Sequence, residues 1–238
     1  MKTININTII AIVLFTMVTL LFSSCKKECE ISEEEAANLI AIALSSTSNG
    51  LNYRITIEDS LLASDSIACG ETKTYSTNIM NPVGSNRNYS YSNNISHTLI
   101  CSGTQEFTTA LAASGSYNGP IISASDNITG TWQLSGFEDT NDTIRINGNY
   151  RRTGNARITI FRTKQITYDL NAVTSNLSYS KLTHKITGGN AGIVINGNTT
   201  YYGVYNYTAN IRFLGNDLAE VNINGKIFTI NLITGQIV

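Results

Sequence analysis

The 238-residue sequence is short of charge, proline, histidine and tryptophan. Only 14% of residues are charged, the net charge is −1, and charge runs are rare after residue 35. A protein that grips nucleic acid or an acidic membrane face through electrostatics carries a basic stripe. Here the sixteen Lys and Arg are scattered, apart from the doublets Lys26-Lys27 and Arg151-Arg152. Doublets of this kind read as solvated surface, so no nucleic-acid partner is expected. Two histidines and no Cys-x-x-Cys pair give a zinc site little support. His97 shares the parity of Ile95 and Leu99 and reads as a core or edge residue, while His184 sits in a strand or turn near "TGG". No Gly-x-Ser-x-Gly, His-Glu-x-x-His or phosphate-loop pattern occurs, and neither a metal nor a cofactor is expected. Disorder is excluded too, because apolar residues make up 42% of the chain and recur along its length.

What is abundant is Asn, Thr, Ser, Tyr and Gly. Thr, Tyr, Ile and Val favour strands, and Asn and Gly tolerate the positive φ of tight turns. Past "SSTSNG" (45–50) the apolar period becomes two. Tyr89, Tyr91, Ile95, Leu99 and Cys101 share one parity, as do Ile166, Tyr168, Leu170 and Ala172, then Tyr205, Tyr207, Ala209, Ile211 and Phe213. Strict alternation marks strands with one face buried and one wet. "INGN" at 146–149, "INGN" at 195–198 and "INGK" at 223–226 each place Asn-Gly between strand-like residues, the strongest short signal for a hairpin turn. "SYNGP" (116–120) and "TGGN" (187–190) add breaks. No helical stretch of 10–15 residues separates the strands, so a parallel sheet is not expected. The expectation is an all-β fold: one antiparallel meander of roughly ten to fourteen strands over 51–238, closed as a barrel or folded as a sandwich.

The N-terminus has a different character. Residues 9–22, "IIAIVLFTMVTLLF", form a 14-residue apolar run behind Lys2. A membrane span needs about 20 such residues, so the run suits the apolar region of a secretory signal. Ser23 and Ser24 follow, then Cys25 and a burst of charge. This order resembles the lipobox of bacterial lipoproteins, in its looser Bacteroidota form. Phe22 stands where Leu is usual three residues before the cysteine, with Leu21 one place further out. The resemblance covers about 30 residues. It implies cleavage before Cys25, acylation of that residue, and attachment to the outer membrane by acyl chains without spanning it. Residues 1–24 are then a signal and 25–50 a tether with a short helix. In "CKKECEISEEE", lysines and acidic residues behind the cysteine also resemble a surface-export signal; equally, Ser32 and Glu35 form a capping box for a helix over 33–45.

If Cys25 is acylated, Cys29, Cys69 and Cys101 remain, in a compartment that permits disulfides. Cys69 and Cys101 both sit near strand ends and are expected to pair. Ser60, Ser66 and Thr143, in "DSL", "DSI" and "DTI", resemble acceptors for O-glycosylation in exported Bacteroidota proteins. "GFEDTND" (136–142) offers oxygen ligands without EF-hand spacing and reads as a solvated turn. Tyr202 is the one tyrosine of its cluster whose parity could turn it towards a ligand. The function expected is binding or structural, towards a glycan, an envelope component or a protein. Two alternatives stand beside it. One is a carbohydrate hydrolase using a carboxylate pair drawn from Glu106, Glu138, Asp169 and Glu220. The other is a barrel carrier of an apolar ligand.

Overall fold

The structure, a computed structural model, describes residues 31–64, 67–80, 87–137, 142–200 and 203–238, with the backbone only for 58–64. Cys25, Ser66, Glu138, Asp139 and Tyr202 lie outside the described residues, as does the side chain of Ser60.

Two helices come first: α1 (Glu33–Leu44) and α2 (Leu51–Ser64), joined through a 3-10 turn at Ser46–Ser48. The capping box starts α1. Ser32 N–H donates to Glu35 Oε2 at 2.7 Å, and Glu35 N–H donates to Ser32 Oγ at 3.2 Å. The next residues, "AANLIAIAL", are good helix formers with an apolar face on nearly every side, the pattern of a helix buried all round. Residues 35–37 and 39–44 are indeed buried. A second helix was not expected; period two was expected from residue 51, and the first strand begins only at Thr72. Leu51, Asn52, Arg54 and Ile55, all buried, recur at helical spacing, and Arg54 N–H bonds Gly50 O.

Ten strands follow: β1 (Thr72–Met80), β2 (Asn88–Ser102), β3 (Thr104–Asn118), β4 (Ile122–Ser135), β5 (Thr143–Ile158), β6 (Lys164–Ser180), β7 (Lys185–Thr199), β8 (Gly203–Gly215), β9 (Leu218–Ile223) and β10 (Lys226–Asn231). They form one antiparallel sheet in sequence order, each strand paired with its neighbour in the chain. The antiparallel meander is therefore as expected, whereas the closure is not: β1 and β10 share no ladder, and a single sheet makes no sandwich. The free side of β10 is taken by residues 236–238. Asn231 N–H bonds Gln236 O, and Val238 N–H bonds Thr229 O. The 3-10 turn also docks there, through Ser46 N–H to Leu232 O and Thr47 N–H to Ile233 O.

The sheet's inner face packs on the two helices. Tyr91, Ile128, Trp132, Tyr150, Leu170, Ile193, Ile211, Val221 and Ile230 form one core with Leu39, Ile40, Leu44 and Leu51. What a barrel would enclose as a cavity is thus filled by protein. Between Arg54, Ile55, Trp132, Leu134 and Ile146 a void of only about 10 Å³ is left, at the lower limit for one water molecule.

"INGK" makes the β9–β10 turn, with Asn224 and Gly225 both at positive φ. Both "INGN" segments, expected as turns, lie inside strands β5 and β7. Their glycines serve close packing of backbone and ring instead. A Cβ at Gly148 would run into Thr131 O of β4 and then meet the Trp132 indole at 2.9 Å, and one at Gly197 would run into Thr167 O of β6 and the Tyr205 ring, whose hydroxyl donates to that same Thr167 O at 2.9 Å. "TGGN" likewise lies within β7, beside the bulge in its pairing with β6, while "SYNGP" does turn the chain from β3 to β4.

Candidate functional site

Two polar constellations stand out, one inside and one outside. The inner one is built on Arg152. The doublet Arg151-Arg152 was expected to be solvated, but only Arg151 is; it pairs with Asp169 on the outer face at 2.6 Å. Arg152 shares the inward parity of Tyr150, Ala156 and Ile158 and is fully buried. Its Nε–H donates to Asp126 Oδ2 at 2.8 Å and its Nη2 to the Tyr91 hydroxyl at 2.6 Å. Its Nη1 donates to Ile42 O at 2.8 Å and Ser48 O at 3.1 Å, at the end of α1 and in the 3-10 turn. Tyr168 donates to the same Asp126 oxygen at 2.8 Å. Burial disfavours the charged guanidinium, but Asp126 foremost, with Tyr91, Tyr150 and Tyr168, holds its pKa well above the usual value. Burial, with the Asp126 charge, pushes the Tyr168 hydroxyl up. A fully buried guanidinium bonded at three nitrogens fastens helices to sheet and offers a substrate no access. Near it, Arg54 of α2 donates to Asn93 Oδ1 on β2 at 2.5 Å. At the start of α1, Glu35 Oε2 pairs with Lys164 of β6 at 2.7 Å.

His97 lies on the inner face, fully buried, with Nδ1 2.9 Å from Thr109 Oγ1 and its ring 5.5 Å from that of Tyr75. Burial holds its pKa down at about 4, so it is neutral at pH 7.

The outer constellation is a groove of about 620 Å³ crossing β3 to β7. Strand register builds it from two neighbouring rows. One row runs Ser116, Ser125, Asn155, Thr167, Asn198; the other Asn118, Ser123, Arg157, Gln165, Thr200. Five strands at a spacing of 4.7–4.9 Å make a trough about 19 Å long. Its two outward rows are hydroxyl and carboxamide, with Arg157 the charged residue and no carboxylate among them, while Tyr117, Ala124, Ala156 and Ile166 add an apolar floor. Ser123 donates to Asn118 Oδ1 at 2.7 Å and Thr200 Oγ1 to Gln165 O at 3.2 Å. Among the described residues, the side chains of Ser116, Ser125, Asn155 and Arg157 make no hydrogen bond and face solvent.

The residues named from sequence are scattered relative to this groove. Cys69 and Cys101 are bonded, Cα to Cα 5.7 Å, at the open end of the β1–β2 hairpin. Thr143 begins β5 at the opposite end of the sheet from the groove. Asp142, just before β5, caps the β6–β7 turn, accepting from Ser180 Oγ and Leu182 N–H at 2.6 Å each; those bonds hold its carboxyl below the usual range. Asp169 and Glu220 each pair with an arginine on the outer face, and Glu106 lies at the far end of β3. The groove itself escaped the sequence analysis because it arises from cross-strand register. Its signal was the Asn/Thr/Ser wet face, which alternation located strand by strand without aligning the strands.

No protein family matches this chain, and no curated protein or solved structure is detectably similar to it.

Proposed function

We propose that this chain is an acyl-anchored, exported lipoprotein that binds an extended, uncharged glycan in the groove across β3–β7. The observation that carries the binding half is the groove's lining. Two rows of hydroxyl and amide groups, repeating at strand spacing, suit a ligand with hydroxyls repeating along its length. A lining without carboxylates lacks the acid and nucleophile or base that glycoside cleavage needs, so the ligand is held rather than cut. The anchoring half rests on the apolar run 9–22, Ser23-Ser24 and Cys25. Attachment places the domain on the outer membrane, and Cys69–Cys101 suits that oxidising location.

The test is a glycan-array screen of the mature protein extracted in mild detergent, followed by titration of the best neutral oligosaccharide. Asn155→Ala/Gln165→Ala is expected to weaken binding at least tenfold without moving the unfolding midpoint. A protein partner in place of a glycan would give a blank array. Binding that survives the double substitution would place the ligand elsewhere.

A further inference from the structure

The groove lies at one end of the sheet, and three hairpin tips beside it carry exposed apolar side chains. The β3–β4 tip has Ile121, 41% exposed; the β5–β6 tip has Phe161, 66% exposed; Val204, 73% exposed, follows the β7–β8 tip. Backbone bonds hold the tips side by side. Thr159 N–H donates to Ile121 O at 2.9 Å, joining the first to the second, and Thr200 N–H donates to Gln165 O at 3.0 Å, joining the third to the start of β6. With two strands between successive tips, the row is about 19 Å long.

The tips are also free of carboxylates. Residues 119–121, 159–163 and 203–204 contain no Asp or Glu, whereas Arg162 follows Phe161 directly and Arg157 lies just inside the same edge. Glu33 and Glu34, in the first turn of α1 at this end, are half-buried, and Glu34 lines the pocket behind Ile121 together with Arg87. The far end of the sheet also has exposed apolar side chains, Ile100, Leu182 and Leu214, but it carries Asp142, Asp217 and Glu106.

What decides between the ends is where the chain arrives. The Ile31 carbonyl accepts from the Tyr207 hydroxyl, and Glu35 is tied to Lys164 at the first residue of β6. The described chain therefore begins at the hairpin-tip end. Cys25 is six residues before Ile31, a reach of at most about 22 Å. We infer that this end of the sheet is a bilayer-docking face: Ile121, Phe161 and Val204 enter the interfacial layer, Arg157 and Arg162 meet lipid phosphates, and the groove is held against the membrane surface. The inference rests on the acyl-anchor half of the proposed function. Aromatic and aliphatic side chains beside arginines are what an interfacial layer takes up, to a depth of about 5–10 Å.

The test uses Phe161→Trp and, at the opposite end, Leu182→Trp, each made in the full chain. Trp132 is buried and provides a constant background. The mature proteins are reconstituted into phosphatidylethanolamine–phosphatidylglycerol vesicles with and without brominated acyl chains. The tryptophan at 161 is expected to lose at least half its emission in brominated vesicles and to shift to the blue, while that at 182 does neither. Equal, unquenched emission from both positions would overturn the docking face. Intact mass of the same samples separates the two ideas. Absence of acyl chains would remove the anchor, and quenching of protein simply added to the vesicles would then decide the face: quenching at 161 alone sustains it, and none refutes it.

Discussion

Arg152→Met is expected to loosen the helices from the sheet. The substitution keeps the stem and removes a guanidinium that is fully buried, as is its partner Asp126. Breaking a buried ion pair from one side costs about 3–5 kcal/mol, because the remaining charge is uncompensated. Ser48 O also loses a donor, worth about 1–3 kcal/mol for an orphaned buried group. Ile42 O keeps the Ser48 hydroxyl and is left out of the sum. The expected loss is about 4–8 kcal/mol, against a total of about 5–15 for a domain. Urea unfolding followed by Trp132 fluorescence and far-ultraviolet circular dichroism would measure it. If Arg152→Met does not fold, Arg152→Lys, which keeps the charge and loses the fork, is expected to cost about 2 kcal/mol. The second arm is Arg152→Met/Asp126→Asn. The amide is neutral and still accepts from Tyr168, so the double variant should be about 0.5–3 kcal/mol more stable than the sum of the single losses. A loss below 1 kcal/mol for Arg152→Met, or additive single effects, would refute the idea that this pair fastens the two layers.

Other predictions follow from separate parts of the molecule. Because burial holds His97 at about 4 while an unfolded histidine titrates near 6.5, its contribution is complete above pH 6.5 and is lost as pH falls towards 4; between pH 7 and 5 the protein should lose about 2 kcal/mol that His97→Gln does not lose. Unfolding titrations of both proteins at the two pH values test this, and equal slopes would contradict it. Reducing Cys69–Cys101 opens a loop of sequence separation 32, worth about 3–4 kcal/mol in the chain-entropy model; hydrogen exchange should show the loss concentrated in β1, the edge strand. Gly197→Ala should cost about 1–3 kcal/mol by crowding the Thr167 carbonyl of β6 and the Tyr205 ring, whereas Gly192→Ala, with open space at its Cβ, should cost under 1 kcal/mol in the same melts.

Much of the fold was legible because each signal was local. Ser32 and Glu35 set the start of α1 within one turn, and alternation assigned the inner residues of the long strands. Asn224-Gly225 had a short strand on either side and nothing else to satisfy. What misled were local signals overridden by neighbours distant in sequence. Asn147-Gly148 and Asn196-Gly197 have turn chemistry, but they pair into ladders where the carbonyls of Thr131 and Thr167 and the rings of Trp132 and Tyr205 leave no room for a Cβ, so the strands run on. Tyr53, Ile55 and Ile57 alternate like a strand and are held helical, with Ile55 buried against the core and Arg54 bonded to Asn93. Arg152 obeyed the parity rule all along; its charge disguised an inward position that Asp126, 26 residues away, makes tenable. Closure was a question of edges, and the segment covering β10 is residues 236–238. The groove needed the register of five strands at once.

Intact-mass spectrometry of protein taken from the membrane fraction tests the account most directly. A chain beginning at Cys25 and carrying the added mass of two or three fatty acyl groups on a glyceryl thioether is the expected result. A species that still starts at Met1, or one cut elsewhere with a free thiol at Cys25, would contradict it.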